Sequence, residues 1–328
     1  MRANWRRGRE LPDLTVAQIE KLMTPAFQGA RVEQFRFAEG GLSNTNLVVH
    51  ISGRQEPLLL RIFEARPESA AKEYAIARRL GGRVPVAAFH ALLPDNEFTG
   101  SPYAILEYLP GERLESLYPS LAGQEREAVG FSLGAVLAGI NQETFESTGF
   151  LSAELEVVQT IELGSAGMVE FVESVLSVEP ASSRVDSGLL PALKKFVRDH
   201  AALLDQALPS ACLTHSDFGG SNILVDRRSG RLCVSGVLDW EFAFSGSPYF
   251  DLGNLLRPPL GDDDAFAEAV AAGYRSEGGI LDSRWRKIAM IVDLTAWLDF
   301  LGREEACPEL IDDAGRMVRK TMEVFDSR

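Results

Sequence analysis

The tripeptide Leu109-Pro110-Gly111 separates two stretches of different texture. Ahead of it lie short apolar runs punctuated by turn residues. Val32–Ala38, Asn46–Ile51 and Leu58–Phe63 read as extended segments, separated by Gly40-Gly41 and Ser52-Gly53, which predicts an antiparallel meander. Thr15 and Gln18 form a capping box that opens a helix over Val16–Met23, and Pro25 ends it. A second helix is expected from Pro67-Glu68-Ser69 to Leu80, stopped by Gly81-Gly82, with strands at Val84–Leu92 and Tyr103–Glu107. Beyond the tripeptide, helical apolar spacing dominates: Gln124–Ile140, Met168–Leu176, Ala192–Leu208, Asp264–Tyr274, Ser283–Leu301 and Pro308–Phe325. The exception is one hairpin, Asn222–Val225 and Leu232–Leu238 around the turn Asp226–Gly230. The pattern predicts an α+β fold with a small antiparallel-sheet lobe, residues 1–108, and a larger mainly helical lobe, residues 109–328.

Charge narrows the partners. The chain of 328 residues has a net charge of −14, which argues against a general nucleic-acid binder. Residues 1–108 carry 14 Lys and Arg against 12 Asp and Glu, leaving 19 against 35 in residues 109–328. A near-neutral first part joined to an acidic second one suits a cationic partner, and equally an acidic surface that aids solubility. No run of about 20 apolar residues suits a membrane span. The basic start, Met1–Glu10, lacks the apolar stretch of a secretory signal, and Cys212, Cys233 and Cys307 form no disulfide or metal framework. The expectation is a cytoplasmic protein with no membrane or nucleic-acid partner.

The chemistry-bearing segment is His215-Ser-Asp217-Phe-Gly-Gly-Ser-Asn222, followed by Val237-Leu-Asp239-Trp240-Glu241. Phosphoryl transfer explains these types. A divalent metal must offset the charge on the transferring group, and Mg²⁺ takes one or two carboxylates plus phosphates and water. A further carboxylate orients the acceptor hydroxyl and takes its proton. Antiparallel pairing of the hairpin brings Asn222, at its start, near Asp239, at its end, with Asp217 on the loop beside them.

This ordered set resembles the aminoglycoside phosphotransferase-type small-molecule kinases, relatives of the protein kinases that include choline, homoserine, methylthioribose and fructosamine kinases. The resemblance runs from about Phe35 to Arg257 and implies a protein-kinase-like, two-lobed fold. It implies Asp217 as catalytic base, Asn222 as metal ligand and Asp239 as principal metal ligand, with His215 bracing the loop. In the later Ser247-Pro-Tyr-Phe-Asp251-Leu-Gly-Asn254 it implies Asp251 as the holder of the loop backbone. ATP and Mg²⁺ are the implied cofactors, with GTP also compatible. Where members of the family commonly carry Leu-His, this chain has Ile140-Asn141.

Glu39-Gly-Gly-Leu-Ser-Asn-Thr-Asn46 reads in isolation as a hairpin loop; the resemblance places it over the phosphates, with Ser43 and Asn44 as donors. Arg61, a lone cation among apolar neighbours, stands where kinases usually have Lys. Its expected partner is Glu73, with Glu68 as the alternative. By the same resemblance the adenine edge meets the Glu107 carbonyl and the Leu109 amide. For the acceptor, Asp293 and Trp297 share one helix face, either as a site for a cationic group or as a buried helix with a capped Trp. Glu241 is placed to touch metal or substrate. The expected activity is ATP- and Mg²⁺-dependent O-phosphorylation of a small, hydroxylated, cationic molecule of aminoglycoside type. The alternatives are a kinase for choline, homoserine or a fructosamine, or a kinase-like nucleotide binder without turnover. The absence of DFG and APE segments argues against a protein kinase.

Overall fold

Thr15 caps the first helix, α1 (Val16–Met23), as its sequence requires: its amide donates to Gln18 Oε1 at 2.8 Å, and the Gln18 amide donates to Thr15 Oγ1 at 3.4 Å. The structure, a computed structural model, describes residues 11–38, 44–186, 188–205, 207, 211–228 and 230–325. The next strands are β1 (Val32–Phe37), β2 (Thr45–Ile51) and β3 (Leu58–Ile62), followed by α2 (Ser69–Leu80), β4 (Phe89–Leu93) and β5 (Tyr103–Glu107). They form one antiparallel sheet in the order β1-β2-β3-β5-β4. Alternation along these strands divides the buried side chains between two faces. Leu47, Val49, Leu58, Leu60 and Ile62 pack with Ile19, Leu22 and Met23 of α1. Ala104 and Leu106 face Phe63 and Ala70, which is on α2.

The strand expected over Val84–Leu92 begins only at Phe89. Pro85 has no amide to give a ladder, and its carbonyl instead accepts from the Val237 amide at 2.8 Å, tying this stretch to the second lobe.

The chain then forms β6 (Glu112–Arg113), α3 (Leu114–Leu117), α4 (Gly123–Asn141), β7 (Gly149–Leu151), β8 (Val157–Thr160), α5 (Ser165–Leu176), α6 (Ala181–Arg184) and α7 (Leu189–His200). After these come β9 (Cys212–Thr214), β10 (Ile223–Arg228), β11 (Arg231–Val237), β12 (Phe244–Gly246), α8 (Pro248–Leu255), α9 (Asp264–Ser276), α10 (Trp285–Gly302) and α11 (Pro308–Val324). The β10–β11 hairpin is present and recruits β6 at its edge. It is not alone. A second sheet, β8-β7-β12-β9, is built from strands of three or four residues, too short to display alternation in sequence. The helix expected over Ala192–Leu208 starts earlier and ends at His200, passing into a 3₁₀ turn at Ala201–Leu203. Among the described residues no helix is long and apolar enough to cross a membrane.

α4 and α9 cross closely because both carry glycine at the crossing. A Cβ on Gly134 would lie 1.9 Å from the Val270 carbonyl oxygen, and one on Gly273 2.0 Å from that of Phe131. Backbone cannot yield as a flexible side chain can. Gly134→Ala should therefore lower stability by about 1–3 kcal/mol in urea unfolding. Gly123→Ala, at a helix start with nothing within 4 Å, should stay within about 0.5 kcal/mol of the parent.

Candidate active site

β9 delivers the chain to His215, a fully buried residue whose ring ties together both sides of the coming loop. Its Nε2 lies 2.9 Å from the Leu238 carbonyl oxygen, and the Asp217 amide reaches its Nδ1 at 3.2 Å. Those two bonds require the proton on Nε2. Behind the loop sits Asp251 on α8, also fully buried. Its Oδ2 accepts from the His215 amide at 2.9 Å and its Oδ1 from the Ser216 amide at 2.8 Å. Burial pushes the Asp251 carboxyl up to about 7, against the opposing pull of these two amides. Ser216 takes a left-handed conformation, φ 68°, and the chain turns sharply to present Asp217.

The Asn222 side-chain amide donates to the Asp217 carbonyl at 2.9 Å and to Asp217 Oδ2 at 2.8 Å. The Leu238 amide donates to the Asn222 carbonyl at 2.9 Å, so the two ends of the hairpin meet and Asp239 follows immediately. Asp239 is itself left-handed, φ 69°. The structure thus brings Asp217, Asn222 and Asp239 together at one bend. Two carboxylates and an amide oxygen are hard donors. Mg²⁺ takes one or two such carboxylates and completes its shell with phosphates and water. The residues present fit Mg²⁺.

Arg61 connects this bend to the first lobe. Its Nη1 is 2.6 Å from Glu73 Oε2, its Nη2 is 3.6 Å from Asp239 Oδ1, and its Nε donates to Asn46 Oδ1 at 3.0 Å. Glu73, 3% exposed, is the partner, not Glu68. Burial pushes the Glu73 carboxyl up, against the pull of Arg61. For Arg61 burial opposes the charge, but Glu73, Asp239 and Glu241 outweigh it and raise the guanidinium above its ordinary value. Lys72, the neighbour of Glu73, was not anticipated. Its Nζ donates to the carbonyls of Glu241 at 2.9 Å and Ala243 at 3.0 Å, gripping the segment just past Asp239. Only the adjacent Glu73 could have drawn attention to it in sequence.

Of the remaining expected residues, Ser43 lies outside the described residues, and Asn44 is buried at the entry to β2. Glu107 ends β5 with its side chain exposed; Leu109 follows in the connection to β6. Asn141, in the place of the family's histidine, donates to the Leu213 carbonyl at 2.9 Å and accepts from the Tyr274 hydroxyl at 3.1 Å, anchoring β9.

A cavity of about 1070 Å³ opens from Asp217, Asn222 and Asp239 into the second lobe, and Glu241 and Asp293 also line it. Glu241 is buried, with Arg66 Nε 3.7 Å from its carboxylate. Of the two readings open for Asp293 and Trp297, their neighbours match the buried helix with a capped Trp. Arg257 donates to both Asp293 oxygens, at 2.7 Å from Nη2 and 3.1 Å from Nε, and Trp297 Nε1 donates to Oδ2 at 2.6 Å. The Arg257 guanidinium lies 4.2 Å from the Trp297 ring centroid, and Trp297 is only 2% exposed. An internal cation already fills the position.

Comparisons with known proteins identify the family and the fold. A family model for the APH phosphotransferase enzyme family matches residues 34–289. Over 169 residues the chain is 29% identical to viomycin phosphotransferase of Streptomyces vinaceus, covering 47% of this chain and 49% of that protein. Over 223 residues it is 26% identical to Acyl-CoA dehydrogenase family member 10 of Mus musculus, covering 65% of this chain and 19% of that protein. It therefore spans about half and about a fifth of these two relatives. Among solved structures, a thermostable mutant of aminoglycoside phosphotransferase APH(4)-Ia, in ternary complex with ADP and hygromycin B, superposes with a TM-score of 0.62 at 19% identity, covering 94% of this chain and 97% of that one. The GDP and kanamycin complex of APH(2″)-IIia superposes with a TM-score of 0.69 at 13% identity, covering 93% and 98%. At such identities the likeness establishes the fold, a two-lobed one with a small sheet lobe and a larger, mainly helical lobe. With more than half of its length matched by the family model, the chain belongs to the APH phosphotransferase enzyme family.

Proposed function

We propose that the chain transfers the terminal phosphoryl group of ATP to a hydroxyl of a small molecule, with residues 1–108 holding the nucleotide and residues 109–328 the acceptor. One observation carries this reading: Asp217, Asn222 and Asp239 meet at the mouth of a cavity large enough for a small molecule, with Arg61 reaching Asp239 from the sheet lobe.

In this reading Asp217 orients the acceptor hydroxyl and takes its proton as the oxygen bonds to phosphorus and the bond to the departing ADP breaks. Asn222 and Asp239 would hold Mg²⁺, whose charge would offset that of the phosphates. Arg61, fixed by Glu73 and Asn46, faces the phosphates with its remaining donors, and Ser43 and Asn44 supply others. Glu107 and Leu109 offer backbone groups to the base, which suits ATP and leaves GTP open as a second nucleotide. Glu241 borders both the metal position and the cavity. A cytoplasmic setting, where ATP is available, belongs to the same reading. The acidic second lobe favours an acceptor bearing positive charge, and relatives named for viomycin and aminoglycosides support a small-molecule acceptor.

Asp217→Ala should cut kcat by about 10²–10⁴-fold while nucleotide affinity stays within about twofold, measured by ADP release and calorimetry. Full turnover would remove Asp217 from the role of base. Asp239→Ala should weaken Mg²⁺–nucleotide binding itself by at least about tenfold, since it removes a charged oxygen donor; an unaltered Mg²⁺ titration would count against it as a ligand. Asp251→Ala strips the acceptor from the buried His215 amide, at about 1–3 kcal/mol, and from the part-buried Ser216 amide. Its unfolding midpoint in urea should drop and kcat should fall with it, while nucleotide affinity changes little.

A further inference from the structure

The wall of the acceptor cavity is mainly apolar. Phe150, Ile161, Leu163, Phe171, Phe242 and Phe250 line it, and each retains solvent-accessible surface. Phe150 is 51% exposed, a large aromatic side chain left open to water. On the α10 side of the cavity Asp293 is held by Arg257 at 2.7 Å in a largely buried pair, and Asp299 by Arg303 at 2.7 Å in an exposed one. A polycationic molecule seated here would meet carboxylates at the reactive bend, Asp217, Asp239 and Glu241, and at Glu115 and Glu162, while any ammonium group set against the apolar wall would give up water without a charged partner, which is unfavourable. An apolar body would cover surface that water now wets, which is favourable.

From this wall we infer that the acceptor is an amphipathic alcohol. Its hydroxyl is held at Asp217, its apolar body fills the cavity, and any positive charge is confined to the side of the exposed Glu115 and Glu162. The inference rests on the phosphotransfer reading of Asp217 and narrows the acceptor from a polyamino sugar to a molecule with a substantial hydrocarbon or aromatic portion.

Calorimetric titration of the full chain, with Mg²⁺ and the non-hydrolysable nucleotide AMP-PNP present, tests the wall directly. The probes are straight-chain primary alcohols from butanol to octanol, and kanamycin. Affinity should rise about fourfold per added methylene, the factor that burying one methylene supplies, with a negative heat-capacity change. Phe150→Ser, at a half-exposed position that the fold does not depend on, should weaken octanol binding about tenfold and leave AMP-PNP affinity unchanged. With ATP in place of the analogue, ADP formation should follow the same order of alcohols. AMP-PNP binding without any trend in chain length, or kanamycin binding that Phe150→Ser leaves as it was while octanol fails to bind, would overturn the inference and leave the kinase reading standing. Alcohols that bind with the expected trend to a chain that takes up no nucleotide would do the reverse.

Discussion

A single buried carboxylate holds the reactive bend in shape. Asp251 accepts the amides of His215 and Ser216, one on each oxygen, from inside the helical lobe. Without it, two donors would be sealed away from water with nothing to bind, and the left-handed turn at Ser216 would have no restraint behind it. Everything forward of that turn inherits its position. Asp217 is set by its own amide on the His215 ring, Asn222 by its side chain on Asp217, and Asp239 by the Leu238–Asn222 pairing of the hairpin. His215 closes the circle, since its other nitrogen reaches the Leu238 carbonyl. Four backbone and side-chain bonds therefore fix the spacing of three oxygen-bearing groups before any ligand arrives.

The two lobes are joined at the same place. Glu73, Arg61 and Asp239 form a run of alternating charge from α2, across β3, to the end of the hairpin, and Lys72 grips the carbonyls just beyond. Buried ion pairs are poor sources of stability, because the desolvation of both ions consumes most of their attraction. Their value here is positional. Adjacent residues on one helix reach two different targets, so a displacement of α2 shifts the phosphate-facing cation and the metal-side loop together. Arg in place of Lys at residue 61 fits this arrangement, because a planar fork can bind Glu73 with one nitrogen and point another at Asp239.

Much of this was legible in the chain. The capping box at Thr15, the turn at Ser52-Gly53 and the helical spacing after Gly111 are local signals, and each specifies a local element, while Gly40-Gly41 lies outside the described residues. The meeting of Asn222 with Asp239 followed from hairpin pairing, and a helical Glu as the partner of Arg61 from the resemblance to kinases. What could not be read depended on contacts distant in sequence. Strands of three residues, such as β9 and β12, exist only because each has a neighbour to pair with. Pro85 turned a predicted strand into a bridge to Val237. For Asp293 and Trp297 the sequence left a cation site and a buried helix with a capped Trp both open, because Arg257, thirty-six residues earlier, gives no local sign that it reaches them.

That last pair bears on how charge relates to specificity. Net charge is a sum over the surface of a lobe, and it describes the long-range field that gathers ions of opposite sign. A binding cavity is governed by what its own wall presents at contact distance. Here the second lobe is strongly acidic and the cavity keeps carboxylates at the reactive bend and at Glu115 and Glu162, yet Asp293 and Asp299 are paired with arginines and much of the wall between is phenyl and aliphatic. Acidity of the lobe and apolarity of the cavity are compatible only if attraction and recognition are done by different surfaces. A molecule with charge at one end and a hydrocarbon body at the other satisfies both conditions, because the field can draw in the charged end while the wall selects the body.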